Sequence, residues 1–274
     1  MTLFIVIIIT AVSAWLIYLR YQRARRDKLF SKPLPPEWIK ILEDNVPLYP
    51  RLPRELRRKL HGCINVFLDE KEFFGCAGLQ ITDLIRLTVA ANASLLLLGR
   101  DNPRFTGFTS ILVYPETYVA NEIIYDGPVE VHGQSARAGE SWHRGPVVLS
   151  WSDISHDRLD EHHGHNVILH EFAHKLDEEN ETMDGLPILR ESNDYKQWAE
   201  VLTREYNALQ KKVAQGKDTV LDGYATVSPP EFFAVATESF FEKPVQMKTG
   251  MPELYEQLEK FYNLDPASWH APAG

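Results

Sequence analysis

Cysteine is almost missing from this chain. Cys63 and Cys76 are the only two in 274 residues, and they do not form C-x-x-C. A disulfide scaffold and a cysteine-built zinc cluster are therefore both excluded, and the two thiols read as small apolar side chains in a reducing compartment. Basic charge is also scarce. Lys and Arg number 29 against 38 Asp and Glu, for a net charge of −9. With no basic helix or aromatic-basic repeat in the body of the chain, this argues against direct nucleic-acid binding. No internal repeat is evident, which removes solenoids and propellers. What remains is ordinary globular composition and enough length for one large core or two small ones.

The longest uncharged run is at the amino terminus. Leu3 to Leu19 carries no charged side chain, and Arg20, Arg23, Arg25, Arg26 and Lys28 follow it, opposed only by Asp27. As a helix the run spans about 25 Å, the short end of a bilayer crossing. A cleaved signal peptide carries its positive charge ahead of the apolar run, whereas this one carries it behind. The expectation is one transmembrane helix with the remainder of the chain in the cytoplasm, so that the protein sits at the inner (cytoplasmic) membrane. The basic cluster then serves as a topology signal and a contact for anionic lipid. The predicted organisation is an anchor with its basic flank over 1–28, a Pro-rich linker over 29–36 and a soluble domain over 37–274.

Apolar spacing predicts helices over 36–45, 53–71, 82–98, 195–215, 228–242 and 251–262. Between them the period shortens. Ile111–Tyr114, Glu122–Tyr125, Val129–His132 and Pro146–Trp151 are short, β-branched and separated by Pro, Gly and Asp, which predicts a small sheet of hairpins. The fold class is α+β and predominantly helical. Ser152 to Gly164 reads as a solvated loop holding His156, His162 and His163, with His165 just beyond. His132 and His143 read as surface or hydrogen-bonded residues.

One octapeptide organises the chemistry. His170-Glu171-Phe172-Ala173-His174-Lys175-Leu176-Asp177 contains H-E-x-x-H directly after the apolar Val167-Ile168-Leu169. On a helix, residues four apart emerge on one face about one turn apart, so His170 and His174 can hold one Zn²⁺ while Glu171 reaches a water beside it. Asp177, three residues beyond His174, can orient an imidazole or face solvent. A catalytic zinc takes three protein ligands, and the third is open among Glu231, Glu238, Glu242 and His270. Glu231 has a rival role, because in Ser228-Pro229-Pro230-Glu231 it stands at the third helical position of a capping box. Glu238, seven residues on, shares a helix face with Glu231 and suits either a ligand or a residue behind one.

Separate motifs agree in order along the chain: Phe67 to Lys71, Phe74 to Leu79, Leu95 to Arg100, Gly139 to Trp142, Gly145 to Trp151, His170 to Asp177 and Pro230 to Val235. Together they resemble the MtfA family of zinc-dependent peptidases over roughly residues 36–265. That family is similar to the catalytic domain of anthrax lethal factor, a gluzincin. The resemblance implies a zincin-like domain, one Zn²⁺ held by His170, His174 and Glu231, and Glu171 as general base. It also implies Tyr224 as a hydrogen-bond donor beside the metal; with Glu231 as ligand, the spacing of Asp177 and Glu238 leaves them as residues behind the ligands. The activity implied is hydrolysis of peptide or protein substrates, as an aminopeptidase or endopeptidase. A second implication is a transcriptional regulator as partner, because the family includes a protein that sequesters a repressor. The run Leu3 to Leu19 is additional to the family pattern. The strand over 146–151 is expected at a sheet edge, where it can pair with extended substrate.

Overall fold

Helix dominates because apolar residues recur at three- and four-residue spacing through most of the chain. The structure, a computed structural model, describes residues 2–116, 118–126, 129–137, 139–141, 145–157 and 164–270; for 2, 3, 6, 118–126, 129–137, 139–141 and 270 it describes the backbone alone. In chain order the elements are α1 (Thr2–Phe30), α2 (Pro36–Asn45), α3 (Arg54–Glu70), β1 (Glu72–Gly75), α4 (Asp83–Leu95), β2 (Ser110–Tyr114), β3 (Tyr118–Asp126), β4 (Val129–Arg137), β5 (Gly139–Ser141) and β6 (Val147–Ser150). They continue with α5 (Trp151–Asp157), α6 (Val167–Asp177), α7 (Asp194–Ala214), α8 (Pro229–Glu242), α9 (Pro244–Gly250) and α10 (Pro252–Tyr262). The α+β class expected from the sequence is what forms.

The sheet differs from the expected set of hairpins. Its strand order is β1-β2-β6-β5, and β3 pairs with β4 in a separate two-stranded ribbon. β1 and β6 both run parallel to β2, with Phe73 opposite Ile111 and Ile111 opposite Val147. Among the described strands of this sheet, β5 alone runs antiparallel to its neighbour, Ser141 opposite Val147. Parallel neighbours need a long crossover, which α4 supplies before β2 and the β3–β4 ribbon supplies after it. The segment over 146–151 is accordingly not an edge. β6 lies between β2 and β5, and Val147 to Ser150 are all buried, as in a central strand covered on both faces. Nor is 152–164 simply a loop, since α5 places His156 on a helix; His143, His162 and His163 lie outside the described residues.

Among the described residues no helix is long and apolar enough to cross a membrane. The expected transmembrane span is therefore not found. The unbroken stretch of uncharged described side chains in α1, Ile7 to Leu19, covers about 20 Å at the helical rise, against a hydrocarbon core of about 30 Å. Its apolar side chains are nonetheless bare, with Phe4, Trp15 and Ile17 each at least 60% exposed. The basic end of α1 is docked on the body of the protein. An Arg25 guanidinium N–H donates to Asp69 at 2.7 Å, and Phe30 lies so close to Gly62 that a β-carbon there would meet the Phe30 carbonyl at 2.6 Å.

Two aromatic clusters fix the helices that matter most. Phe172 on α6 meets Phe67, Phe105 and Phe108 with ring centroids 5.6, 4.9 and 5.9 Å away. Phe233 on α8 meets Trp198 and Phe261 at 5.9 and 5.7 Å. Each large buried aromatic adds edge-to-face attraction to the area it removes from water. The clusters hold the rear faces of α6 and α8 and leave their facing sides for polar residues.

Candidate metal centre

α6 begins where the sequence changes from polar to apolar. Asn166 caps it: its side-chain oxygen accepts from the Leu169 N–H at 3.1 Å, and the Asp157 carboxylate accepts from the Val167 N–H at 3.1 Å. Ile168, Leu169, Phe172, Ala173 and Leu176 are buried, and the turn-related His170 and His174 face α8. α8 starts at Ser228, whose hydroxyl accepts from the Glu231 N–H at 3.4 Å, with Pro229 at the first helical position. The Glu231 backbone completes the cap while its carboxylate turns to α6.

There the donors converge. Glu231 Oε2 lies 2.9 Å from His170 Nε2 and 3.5 Å from His174 Nε2, and the two imidazole nitrogens are 3.2 Å apart. Four donors about 2.1 Å from a tetrahedral zinc stand roughly 3.4 Å from one another. The three observed separations match the edges of one face of that tetrahedron. Among the described residues, His170, His174 and Glu231 form a group able to hold a metal ion. The remaining candidates fall elsewhere. Glu238 Oε1 accepts from His170 Nδ1 at 2.7 Å, behind the imidazole rather than beside the other donors. Glu242 is bonded by the Asn166 amide at 2.8 Å, and His270 ends the 3₁₀ segment Pro266–His270 with its side chain undescribed.

Glu171 is buried, 4% exposed, on the same helix. Tyr224 is half exposed in the 3₁₀ turn Gly223–Thr226, its ring centroid 6.0 Å from that of His170. Asp177 is fully buried and accepts from the Gly185 N–H at 2.7 Å. Gly185 has φ of +78°, and a β-carbon on it would approach the Pro229 carbonyl to 2.6 Å, so only glycine brings that N–H to Asp177. Neither Asp177 Oδ1 nor His174 Nδ1 has a hydrogen-bond partner among the described residues.

The electrostatics follow from burial opposed by close partners. Burial alone lowers the His170 imidazole, but the carboxylates of Glu231 and Glu238 outweigh it and raise its pKa well above the ordinary value. Burial raises Glu231, and its hydrogen bonds to His170 and His174 reverse this and hold it far below the carboxylate range. Glu238 is lowered in the same way, burial being overcome by His165 and His170. Two carboxylates thus stabilise positive charge at one imidazole pair, which is also the condition for holding a dication.

A buried polar network lies behind the donors; the sequence pointed to its carboxylates, Glu238 and Glu242, but not to Asn166 or Asn92. The Asn166 amide donates to Asn92 at 3.0 Å as well as to Glu242, and its backbone N–H donates to Glu238 at 2.7 Å. A polar Asn immediately before an apolar run is a helix-cap signal that could have identified it. Burial pushes the Glu242 carboxyl up to about 7, with the Asn166 amide opposing and the Glu238 charge adding. The folded chain therefore holds a proton that the unfolded chain releases between pH 4.5 and 7. Stability falls as pH rises through that window, by up to about 3 kcal/mol. Glu242→Gln keeps the Asn166 contact without the charge. In chelator its Tm should exceed the wild type by roughly 6–12 °C at pH 8 and equal it at pH 4.5. A variant whose Tm keeps the wild-type pH dependence would assign the proton to another group.

The sequence pattern of the glucose-regulated metallo-peptidase M90 family matches residues 19–263. The chain belongs to that family. Proteins similar to it include an uncharacterized protein of Synechocystis sp., 41% identical over 88% of this chain and 89% of the relative. Mlc titration factor A of Pectobacterium atrosepticum is 34% identical over 81% and 84%, and Mlc titration factor A of Yersinia pestis is 32% identical over 84% and 85%. M90 membership makes the chain a metallopeptidase in general terms, and the convergent donors are a group able to hold the metal this implies. The match starts at residue 19 and so takes in the basic end of α1.

Proposed function

We propose that this M90 protein is a zinc-dependent peptidase of the gluzincin type with a zincin-like domain. In this reading His170, His174 and Glu231 hold one Zn²⁺. The convergence of those three donors at tetrahedral-edge spacing carries the proposal. A zinc ion there supplies Lewis-acid polarisation of a peptide carbonyl and of the attacking water. The Glu171 carboxylate takes the proton from that water and passes it to the leaving nitrogen. Tyr224, at the rim, donates its hydroxyl to the carbonyl oxygen as negative charge develops on it. Glu238 fixes the His170 tautomer by accepting from Nδ1, and Asp177 braces the end of α6 through Gly185. Extended substrate pairs with β5, the strand at the edge of the sheet next to β6.

Digestion of an unbiased peptide library by the zinc-loaded chain tests this. Cleavage should be abolished by chelator and restored by one equivalent of Zn²⁺, and chelator-resistant cleavage would exclude the metal from the reaction. The cut positions separate aminopeptidase from endopeptidase action. A second reading is favoured by the relatives named Mlc titration factor A. In it the chain binds a transcriptional regulator, and the metal is structural or weakly active. Retention of a purified regulator by a chain that cleaves no library peptide would select it.

The same proposal places the protein at the cytoplasmic face of the inner membrane, held there by α1. The bare apolar side chains of α1, among them Phe4, Trp15 and Ile17, and the cations that follow support this. An alkaline phosphatase fused after Lys28 should be inactive; an active fusion would put the domain outside.

A further inference from the structure

A cleft of about 580 Å³ lies between the basic end of α1 and the body of the protein. Arg23 and Arg26 of α1 face it from one side, and Lys59 of α3 and Arg104 of the loop before β2 from the other. Asp27 and Asp101 oppose them, leaving an excess of two positive charges. Phe30, Val66 and Pro103 give it an apolar wall. A topology signal accounts for the run Arg20 to Lys28 but not for Lys59 and Arg104, which lie far along the chain. Lys59 is committed to the Arg100 carbonyl at 3.1 Å, and Arg26 is 4.0 Å from Glu70. Arg104 is not so engaged: its Nε is buried with no hydrogen-bond partner among the described residues. That Nε is out of reach of the cleft, and the rest of the guanidinium is the part that can meet an acceptor entering it.

We propose that this cleft binds the phosphate of an anionic phospholipid headgroup. Arg23 and Arg26 follow the last apolar residue, Leu19, by about 6 and 10 Å along the helix. The headgroup layer is roughly 5–8 Å thick on each side of the hydrocarbon. With the apolar part of α1 in lipid, Arg23 stands at headgroup depth and the rest of the cleft lies just beyond it. The phosphate meets the guanidinium groups, and the part of the headgroup beyond the phosphate lies along Phe30, Val66 and Pro103. The Arg25–Asp69 ion pair and the Phe30–Gly62 contact hold the two walls together before any lipid arrives. Bound lipid then sets the orientation of the domain as well as its attachment. This inference rests on the membrane reading of α1.

Calorimetry on the full chain in neutral detergent tests the cleft apart from membrane attachment. Short-chain phosphatidylglycerol should bind at least about tenfold more tightly than short-chain phosphatidylcholine and than glycerol phosphate. Arg104→Gln and Lys59→Gln should each weaken it by about fivefold or more, with Arg20→Gln, outside the cleft, changing it less than about twofold. Using both cleft variants guards against one that fails to fold. Equal losses from Arg20→Gln and Arg104→Gln, or no preference over phosphatidylcholine, would overturn the proposal. Glycerol phosphate binding as tightly as the lipid would move the site to a soluble phosphate ester and overturn the lipid assignment. Flotation with neutral phosphatidylcholine vesicles reads the α1 attachment alone; a chain that stays behind removes that reading whatever the calorimetry shows.

Discussion

Glu171→Gln is expected to keep one zinc per chain and to lower peptide hydrolysis by about 10²–10⁴-fold, the usual worth of a positioned general base. The amide is isosteric with the carboxylate, and Glu171 is not among the convergent donors His170, His174 and Glu231. The substitution therefore removes proton transfer and leaves the metal geometry alone. Two measurements on one preparation decide it: zinc content by elemental analysis and the initial rate on a peptide found by the library digest. Hydrolysis within tenfold of the wild type would end the assignment. Loss of zinc in the variant would instead place Glu171 among the ligands.

Glu231→Ala should weaken zinc binding by more than 100-fold, beyond the 10–100-fold that removing a residue behind a ligand costs. Glu238→Ala should fall inside that smaller range, because Glu238 meets His170 at Nδ1, the nitrogen turned away from the donor cluster. The contrast depends on α8 surviving the change. It should, since the Ser228 cap is made through the Glu231 backbone N–H, which alanine retains. Competition against a zinc chelator gives both affinities, and circular dichroism reports the helix. The reverse order of the two losses would move the third ligand to Glu238. An Ala variant that melts without losing metal affinity would make Glu231 a cap alone.

The helices were legible because their signals are local. Pro36–Asn45 formed with the expected bounds, and Thr82 and Ser228 cap the helices they were expected to open. The two imidazoles on one face of α6 follow from four-residue spacing alone. The sheet was harder to read. Glu72-Phe73-Phe74-Gly75 has neither β-branching nor alternation, and its pairing with residues 110–113 is settled by packing across the chain. The same reason hid the network around Asn166, whose amide nitrogen meets partners 74 and 76 residues away. For Glu231, spacing left a cap and a ligand equally possible. The structure brings its backbone to Ser228 and its carboxylate to the imidazoles, so the two roles do not compete.

The donor set has a simple mechanical origin. His170 and His174 stand on one rigid rod, and Glu231 and Glu238 stand seven residues apart on another. A single imidazole is gripped at both ring nitrogens by the second rod, so a small roll of α8 loosens both carboxylates together. In the proposed centre, metal affinity is then set by the angle between two helices, and that angle is held from behind by Phe172 in one cluster and Phe233 in the other. Drift in the surrounding loops can reshape what the protein recognises without detuning the centre. Slight changes in aromatic bulk, far from any donor atom, can do the opposite.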